Sequence, residues 1–253
     1  MNTPTSQGVV IITGGGRGIG AATALLAAQR GYEVCVNFRS DEASALKVVD
    51  AIRDAGGRAI AVAADVSREA DVLRLFDETV KQFGALTALV NNASVLESQC
   101  RLDEMEAARF ERVFATNITG TFLCSREAVR RMSTKHGGRG GVIVNVSSIA
   151  SRLGSPGEYI DYAASKGAID TLTIGLAKEV AEEGIRVNAV RPGVIYTGIH
   201  ASGGEPGRVD RVKVGVPMKR GGQPEEVAHA VLWLMSDEAS YSTGSFVDVA
   251  GGR

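Results

Sequence analysis

The chain has 253 residues, 44% of them apolar, enough to bury a substantial core in one large α/β domain or two small ones. A formal net charge of −1 excludes a dominant basic surface for nucleic acid or acidic lipid. Three scattered cysteines, Cys35, Cys100 and Cys124, exclude a disulfide framework or a thiolate metal site and suit a reducing, cytoplasmic compartment.

The first eight residues are polar and lack the apolar stretch of a targeting signal. No apolar run approaches the ~20 residues that span a bilayer, so the expectation is a soluble protein without a membrane partner. Residues 9–12, all Val and Ile, predict a buried strand. Residues 18–30 are rich in Ala and Leu and predict a helix that Gly31 ends. A strand over 33–37, a helix over 41–55 stopped by Gly56 and Gly57, a strand over 59–63, a helix over 68–83 and a strand over 88–90 follow. Residues 103–135 predict one or two helices, 142–146 a strand, 159–183 a long helix capped by Gly184, and 185–190 a strand. A helix over 224–236 carries Pro224 in its first turn, and 246–249 reads as a seventh strand.

Strands alternating with helices predict an α/β fold: a single Rossmann-like domain over residues 1–253, with a doubly wound parallel sheet of about seven strands and helices on both faces. Residues 192–215 are long, irregular and rich in Gly and Ser. Within them 196–215 reads as a lid over a ligand, the alternative being a disordered surface loop.

The first strand runs into Thr13-Gly14-Gly15-Gly16-Arg17-Gly18-Ile19-Gly20. Glycines there let backbone N–H groups approach a pyrophosphate, and the following helix adds its dipole. The spacing Gly14-x-x-x-Gly18-x-Gly20 is not the common G-x-G-x-x-G fingerprint. Its place after a strand and before a helix still points to a dinucleotide, with Gly14, Arg17, Gly18, Ile19 and Gly20 around it. The second strand ends in Asn37-Phe38-Arg39-Ser40, where an NAD site carries a carboxylate for the ribose. Arg39 pairs with a 2′-phosphate instead, Ser40 donates to it, and Arg17 adds charge. The cofactor read from this is NADP(H), with NAD(H) possible; the competing reading of Arg39 is a solvated loop arginine. Asp65, followed by Val66, either accepts from the adenine amino group or caps the next helix, where Ser67 is the more natural cap. Asn91, Asn92 and Ala93 line a cofactor channel or tie neighbouring strands.

Tyr162 and Lys166 stand four residues apart in a predicted helix and so share a face. A cation beside a phenol favours the phenolate and brings Tyr162 closer to neutral titration. A proton donor beside a hydride carrier is equipment for interconverting a carbonyl and an alcohol. His136, His200 and His229 are scattered and make no metal constellation.

Together, Thr13–Gly20 in sequence, Asp65, Asn91-Asn92-Ala93, Asn117, Ser148, Tyr162-x-x-x-Lys166, Arg191-Pro192-Gly193 and Thr243-Gly244 resemble the short-chain dehydrogenase/reductase family over nearly the whole chain. Within it the chain is similar to bacterial β-ketoacyl-carrier-protein reductases and glucose 1-dehydrogenases. The resemblance implies a tetrad of Asn117, Ser148, Tyr162 and Lys166. Tyr162 is then general acid and base, and Lys166 tunes it and holds the nicotinamide ribose. Ser148 polarises the substrate oxygen, with Ser147 its rival. Asn117 holds a relay water, or simply kinks its helix. Pro192, Gly193, Ile195 and Thr197 are implied to contact the nicotinamide carboxamide, or to form a rigid strand exit. A small carbonyl or alcohol substrate and a homotetramer are implied as partners. The alternatives are a sugar or polyol dehydrogenase, or an NADP(H)-binding sensor with little turnover. Gly16 stands where NADP-preferring relatives often carry serine, and Ser94 replaces the glycine after Asn-Asn-Ala. Glu158, Tyr159 and Asp161 crowd the loop before Tyr162 as candidate substrate contacts or as surface residues.

Overall fold

The computed structural model describes residues 7–253, so the reading of residues 1–6 lies outside the described residues. The β-branched runs form seven strands: β1 (Gly8–Ile12), β2 (Tyr32–Phe38), β3 (Ala59–Ala63), β4 (Leu86–Asn91), β5 (Gly141–Val146), β6 (Ile185–Pro192) and β7 (Phe246–Val249). All pairings are parallel, in the order β3-β2-β1-β4-β5-β6-β7. The order reverses between β1 and β4, and an open α/β sheet forms its ligand crevice at such a point, outside the strands' carboxyl ends.

Alternate residues of each strand enter opposite cores. Val10 and Ile12 of β1 and Val34 and Val36 of β2 pack with α1 (Gly18–Gln29), α2 (Glu42–Asp54) and α10 (Pro224–Met235). Val9 and Ile11, Cys35 and Leu89 face the other way, onto α3 (Glu69–Phe83), α5 (Gly120–Met132) and α7 (Ile160–Val180). Phe76, Leu75, Met132 and Ile143 are fully buried on that side. Each such side chain contributes about 1.5–3 kcal/mol of transfer free energy.

Helix ends follow local chemistry. Asp41 caps α2 by accepting from the Ser44 N–H at 3.1 Å, and Gly31 leaves α1 with φ +87°. At α3 the expected cap is not used: Arg68 holds the capping position without a side-chain bond, and Ser67 donates to Asp65 instead. The helical stretch expected over 103–135 is α4 (Ala107–Phe114) and α5, joined by a π-helical turn over Ala115–Thr119 with Asn117 at its middle. A π-turn inserts an extra residue per turn and recurs at functional sites. A four-residue helix after β5, α6 (Ala150–Leu153), is too short to leave a periodic signal. The stretch read as irregular, 192–215, carries two short helices, α8 (Ile199–Ser202) and α9 (Arg208–Val212). Among the described residues no helix is long and apolar enough to cross a membrane.

Candidate active site

The carboxyl ends of the strands open onto a cleft of about 790 Å³. Its cradle is built by lacing two strand exits together. Thr13 Oγ1 accepts from the N–H groups of Asn92 and Ala93 at 2.9 and 3.0 Å and donates to the Val90 carbonyl. Asn92 Nδ2 donates back to the carbonyls of Thr13 and Gly14. Gly14 and Gly18 have φ +60° and +51°, a region that strains any other residue. A Cβ on Gly14 would also stand 3.1 Å from Ala93 Cα. Gly14, Arg17, Gly18 and Ile19 line the cleft. Gly20 does not: it packs behind the turn, where a Cβ would lie 2.4 Å from the Gly14 carbonyl oxygen. Its expected contact with a cofactor is therefore replaced by a packing role.

Asn37 lines the cleft, but its amide is committed to backbone. Its Oδ1 accepts from the Gly14 N–H at 3.2 Å, and its Nδ2 donates to the carbonyls of Phe38, Val62 and Ala64. It fixes the cradle against β2 and β3. Arg39 and Ser40 are exposed on the cleft lining, and Arg39 has no protein partner among the described residues. Arg17 stands 3.8 Å from Asp41, both exposed. Asp65 does not cap α3: Oδ1 accepts from the Ser67 N–H and hydroxyl, leaving Oδ2 without a protein partner among the described residues. Val66 and Ala93 line the cleft with it. Asn91 lies off the cleft. Its buried amide donates to Ser125 and Asn145, so the strand-tying reading describes it and the channel reading does not.

β5 delivers Ser147 and Ser148, and α7 delivers Tyr162 and Lys166. Ser147 Oγ donates to Asp170 at 2.6 Å and is buried away in that bond. Ser148 lines the cleft beside Tyr162 and accepts from the Ala150 N–H. Both serines line the cleft, but only Ser147 spends its hydroxyl on a carboxylate. Lys166 is 3% exposed; its Nζ donates to the Val146 carbonyl at 2.8 Å and lies 5.5 Å from the centre of the Tyr162 ring. Burial pulls Lys166 down to about 8, with Asp170 resisting. Burial pushes Tyr162 up to about 12, and the Ser148 hydroxyl pulls it the other way. The expected acidification of the phenol by Lys166 is thus not seen. Withdrawing the phenol from water outweighs an ammonium that sits over the ring and spends a hydrogen bond on backbone.

Asn117 is 1% exposed and does not line the cleft. Its Oδ1 accepts from the Val95 N–H at 2.8 Å, and its Nδ2 donates to the Val95 carbonyl and to Ser165 Oγ. The π-turn therefore points this amide at the β4 exit and at α7, which it clamps together. Pro192, Gly193, Ile195 and Thr197 all line the cleft. Gly193 is required there, since a Cβ would come within 2.7 Å of Ala250 Cα.

Of the loop before Tyr162, Glu158 and Tyr159 reach the cleft. Asp161 does not; it is buried in a two-pronged pair with Arg109, at 2.7 and 3.1 Å, and is no substrate contact. Leu96 completes this wall together with His200 and Arg208, which belong to the segment 196–215 read as a lid without being singled out individually. No local pattern marks them, because they meet only through contacts between distant loops.

The chain matches the family model described as enoyl-(acyl carrier protein) reductase over residues 14–253. YgfF of Escherichia coli (strain K12), described as an uncharacterized oxidoreductase, is 61% identical over 245 residues, covering 97% of this chain and 99% of its own. Glucose 1-dehydrogenase 2 of Bacillus subtilis is 39% identical over 243 residues, covering 96% and 93%. Among solved structures, a 3-ketoacyl-(acyl-carrier-protein) reductase from Brucella melitensis complexed with NADH matches with TM-score 0.90 at 33% identity, covering 98% of each chain. With the sheet order and the cleft already described, these likenesses establish that the chain belongs to the short-chain dehydrogenase/reductase family of oxidoreductases.

Proposed function

We propose that the protein is an NADP(H)-dependent oxidoreductase interconverting a ketone or aldehyde and an alcohol, with Tyr162 as general acid and base. The observation that carries this is one cleft shared by Tyr162, Ser148 and Lys166 and by an Arg39 that has no protein partner among the described residues. The cradle fits the cofactor: Gly14 and Gly18 present backbone without side chains, and Asp65 keeps a free oxygen for an amino donor. Bound NADPH supplies the hydride.

Arg39 and Ser40 hold the 2′-phosphate, and Arg17 offsets the nearby Asp41. Ser148 Oγ donates to the substrate oxygen and stabilises the charge that grows there. Tyr162 gives its proton to that oxygen in reduction and takes it back in oxidation. Lys166, predominantly charged at pH 7 with its titration near 8, stabilises the phenolate left behind. Asn117 contributes by holding the Val95 backbone against α7. Phe122 and Ile174, exposed on α5 and α7, support association of the chain with copies of itself through those faces.

The test is a kinetic panel of ketones, ketoacyl thioesters and sugars, each with NADPH, NADH and their oxidised forms, followed by nicotinamide absorbance. Turnover with a preference for the phosphorylated cofactor is expected. Thermal stabilisation by NADPH with no consumption across the panel would reject the enzyme reading.

A further inference from the structure

His200 sits on the cleft wall, 9% exposed, on the single turn α8. Its Nε2 is 2.9 Å from the Ile195 carbonyl oxygen. A carbonyl only accepts, so Nε2 carries the ring's proton. Burial, reinforced by Arg208 and opposed by the Ile195 bond and Glu205, holds the imidazole below its ordinary titration range and therefore neutral at pH 7. Nδ1 is then a lone-pair acceptor, and it is buried with no partner. Among the described residues only Asn91 Oδ1 and Ser94 Oγ share that condition, and Asn91 lies off the cleft.

An unpaired buried acceptor is costly, and a site so arranged discriminates strongly for a ligand that supplies the missing donor. The donor's chemistry is constrained by the wall. A carboxylate or a bare carbonyl would set a second acceptor against the lone pair. Glu158 and Glu205, the carboxylates beside this wall, are already paired with Arg208, so a desolvated ammonium would find no uncommitted counter-charge there. A neutral hydroxyl satisfies both limits.

We propose that His200 is a specificity-determining residue whose Nδ1 accepts from a hydroxyl that the substrate carries besides its reacting oxygen, so that the substrate class is hydroxylated ketones rather than plain aliphatic ones. The inference rests on the carbonyl-reduction reading of the cleft. In this conformation Nδ1 is shut off from water. The turn that bears it is bounded by Gly198 and Gly203, and Tyr159 holds the Gly203 carbonyl at only 3.4 Å. A shift of that turn admits the hydroxyl.

The test compares a six-carbon methyl ketone with the series of its hydroxy derivatives, the hydroxyl moved along each successive carbon. Two quantities are measured: kcat/KM with NADPH, and affinity for the chain loaded with oxidised NADP, which has no hydride to give a ketone. At least one hydroxyl position is expected to gain roughly five- to tenfold in both. His200→Leu is expected to remove that gain, and His200→Gln, which keeps an acceptor oxygen, to reduce it. Thermal unfolding and NADPH affinity identify the folded variants. The proposal is overturned if no position is favoured in the unsubstituted protein, or if the gain is undiminished in folded His200→Leu; a gain kept by His200→Gln but lost in His200→Leu supports it. A His200-dependent gain in binding without any turnover supports the assignment of His200 and rejects the reductase reading instead.

Discussion

Lys166 Nζ donates to the Val146 carbonyl at 2.8 Å and lies over the Tyr162 ring, 5.5 Å from its centre. A buried ammonium with one backbone partner is held near its titration point, about 8, while the phenol it faces is held near 12. The pair is thus set so that the lysine, not the tyrosine, changes charge close to neutral pH.

The first expectation concerns pH. Phenolate formation needs the ammonium, so kcat/KM for reduction should fall as pH rises through about 8, where the free chain's Lys166 loses its proton. Lys166→Met should lose that inflection along with most of its activity. The same residue has a stability signature of known sign. Its folded titration lies below the ordinary 10.5, so charging it costs stability below pH 8, and the cost is relieved as pH rises from about 8 to 10.5. Lys166→Met should therefore be the more stable protein at pH 7, by up to about 3 kcal/mol. Denaturant melts at pH 7 and above pH 9 should show that gain shrinking as pH rises; a constant or growing gain would contradict the assignment.

Tyr162→Phe removes the proton donor and leaves the cradle untouched. Turnover should drop by about 10²–10⁴ or more, while NADPH affinity stays within about twofold. Near-normal rates in this variant would remove Tyr162 from the role of acid.

Arg39 has no protein partner to lose among the described residues, so changing it reports on a ligand and little else. On the proposed NADP(H) reading, Arg39→Asp would exchange a charge-assisted contact with the 2′-phosphate for repulsion. The ratio of kcat/KM for NADPH over NADH should fall by about ten- to a hundredfold, equivalent to roughly 1.5–3 kcal/mol. Paired steady-state measurements with the two cofactors decide it, and an unmoved ratio sends Arg39 back to being a solvated loop residue.

Much of the frame and part of the site could be read from residues near in sequence. The strand over 59–63 and the seventh strand over 246–249 coincide with β3 and β7, because short β-branched runs between turn residues leave little choice. The Gly14 to Gly20 turn and the Tyr162–Lys166 offset are likewise local patterns. What local pattern does not carry is pairing at a distance. Asn117, which the resemblance places in the site, and Asn91 spend their amide hydrogen bonds on groups 22 to 54 residues away, although Asn91 Oδ1 stays without a partner among the described residues. Arg109 lies 52 residues from Asp161, and that pairing turned an expected substrate contact into a buried ion pair. Charge states escaped too, since burial of Tyr162 and Lys166 depends on the packed cleft rather than on their spacing.

That ion pair makes its own prediction. Arg109 also donates to the Ser98 carbonyl and to Cys100 Sγ, so one guanidinium joins α4, the β4 exit loop and the first turn of α7. Asp161→Ala leaves a buried cation unpaired and should destabilise the chain by about 3–5 kcal/mol. Replacing both partners, Arg109→Met with Asp161→Leu, should recover most of the loss, because the desolvation cost of two charges is removed together. Urea melts of the single and double variants test this; equal losses would mean the pair matters through shape alone.

The last expectation concerns the segment expected to act as a lid. Glu158 pairs with both Arg208 and Arg211, and Arg211 also pairs with Glu205 at 2.8 Å. Gln99 reaches Glu205 as well, so side chains from three loops close on one another behind Glu158 and Arg208 of the cleft wall. Each exposed pair contributes little, about 0–1 kcal/mol, but both arginines share Glu158 and Glu205, and of these two Glu158 lies outside the segment and ties it to the loop before α7. Glu158→Gln should therefore loosen residues 199–212 without touching α1 or the cradle. Amide exchange in 199–212 should rise several-fold, with exchange in α1 unchanged, and raising salt in the unsubstituted protein should push the same amides in the same direction. Exchange in 199–212 that responds to neither change would show that packing of Leu96 and Tyr159 against Gly203, rather than charge, holds this segment down.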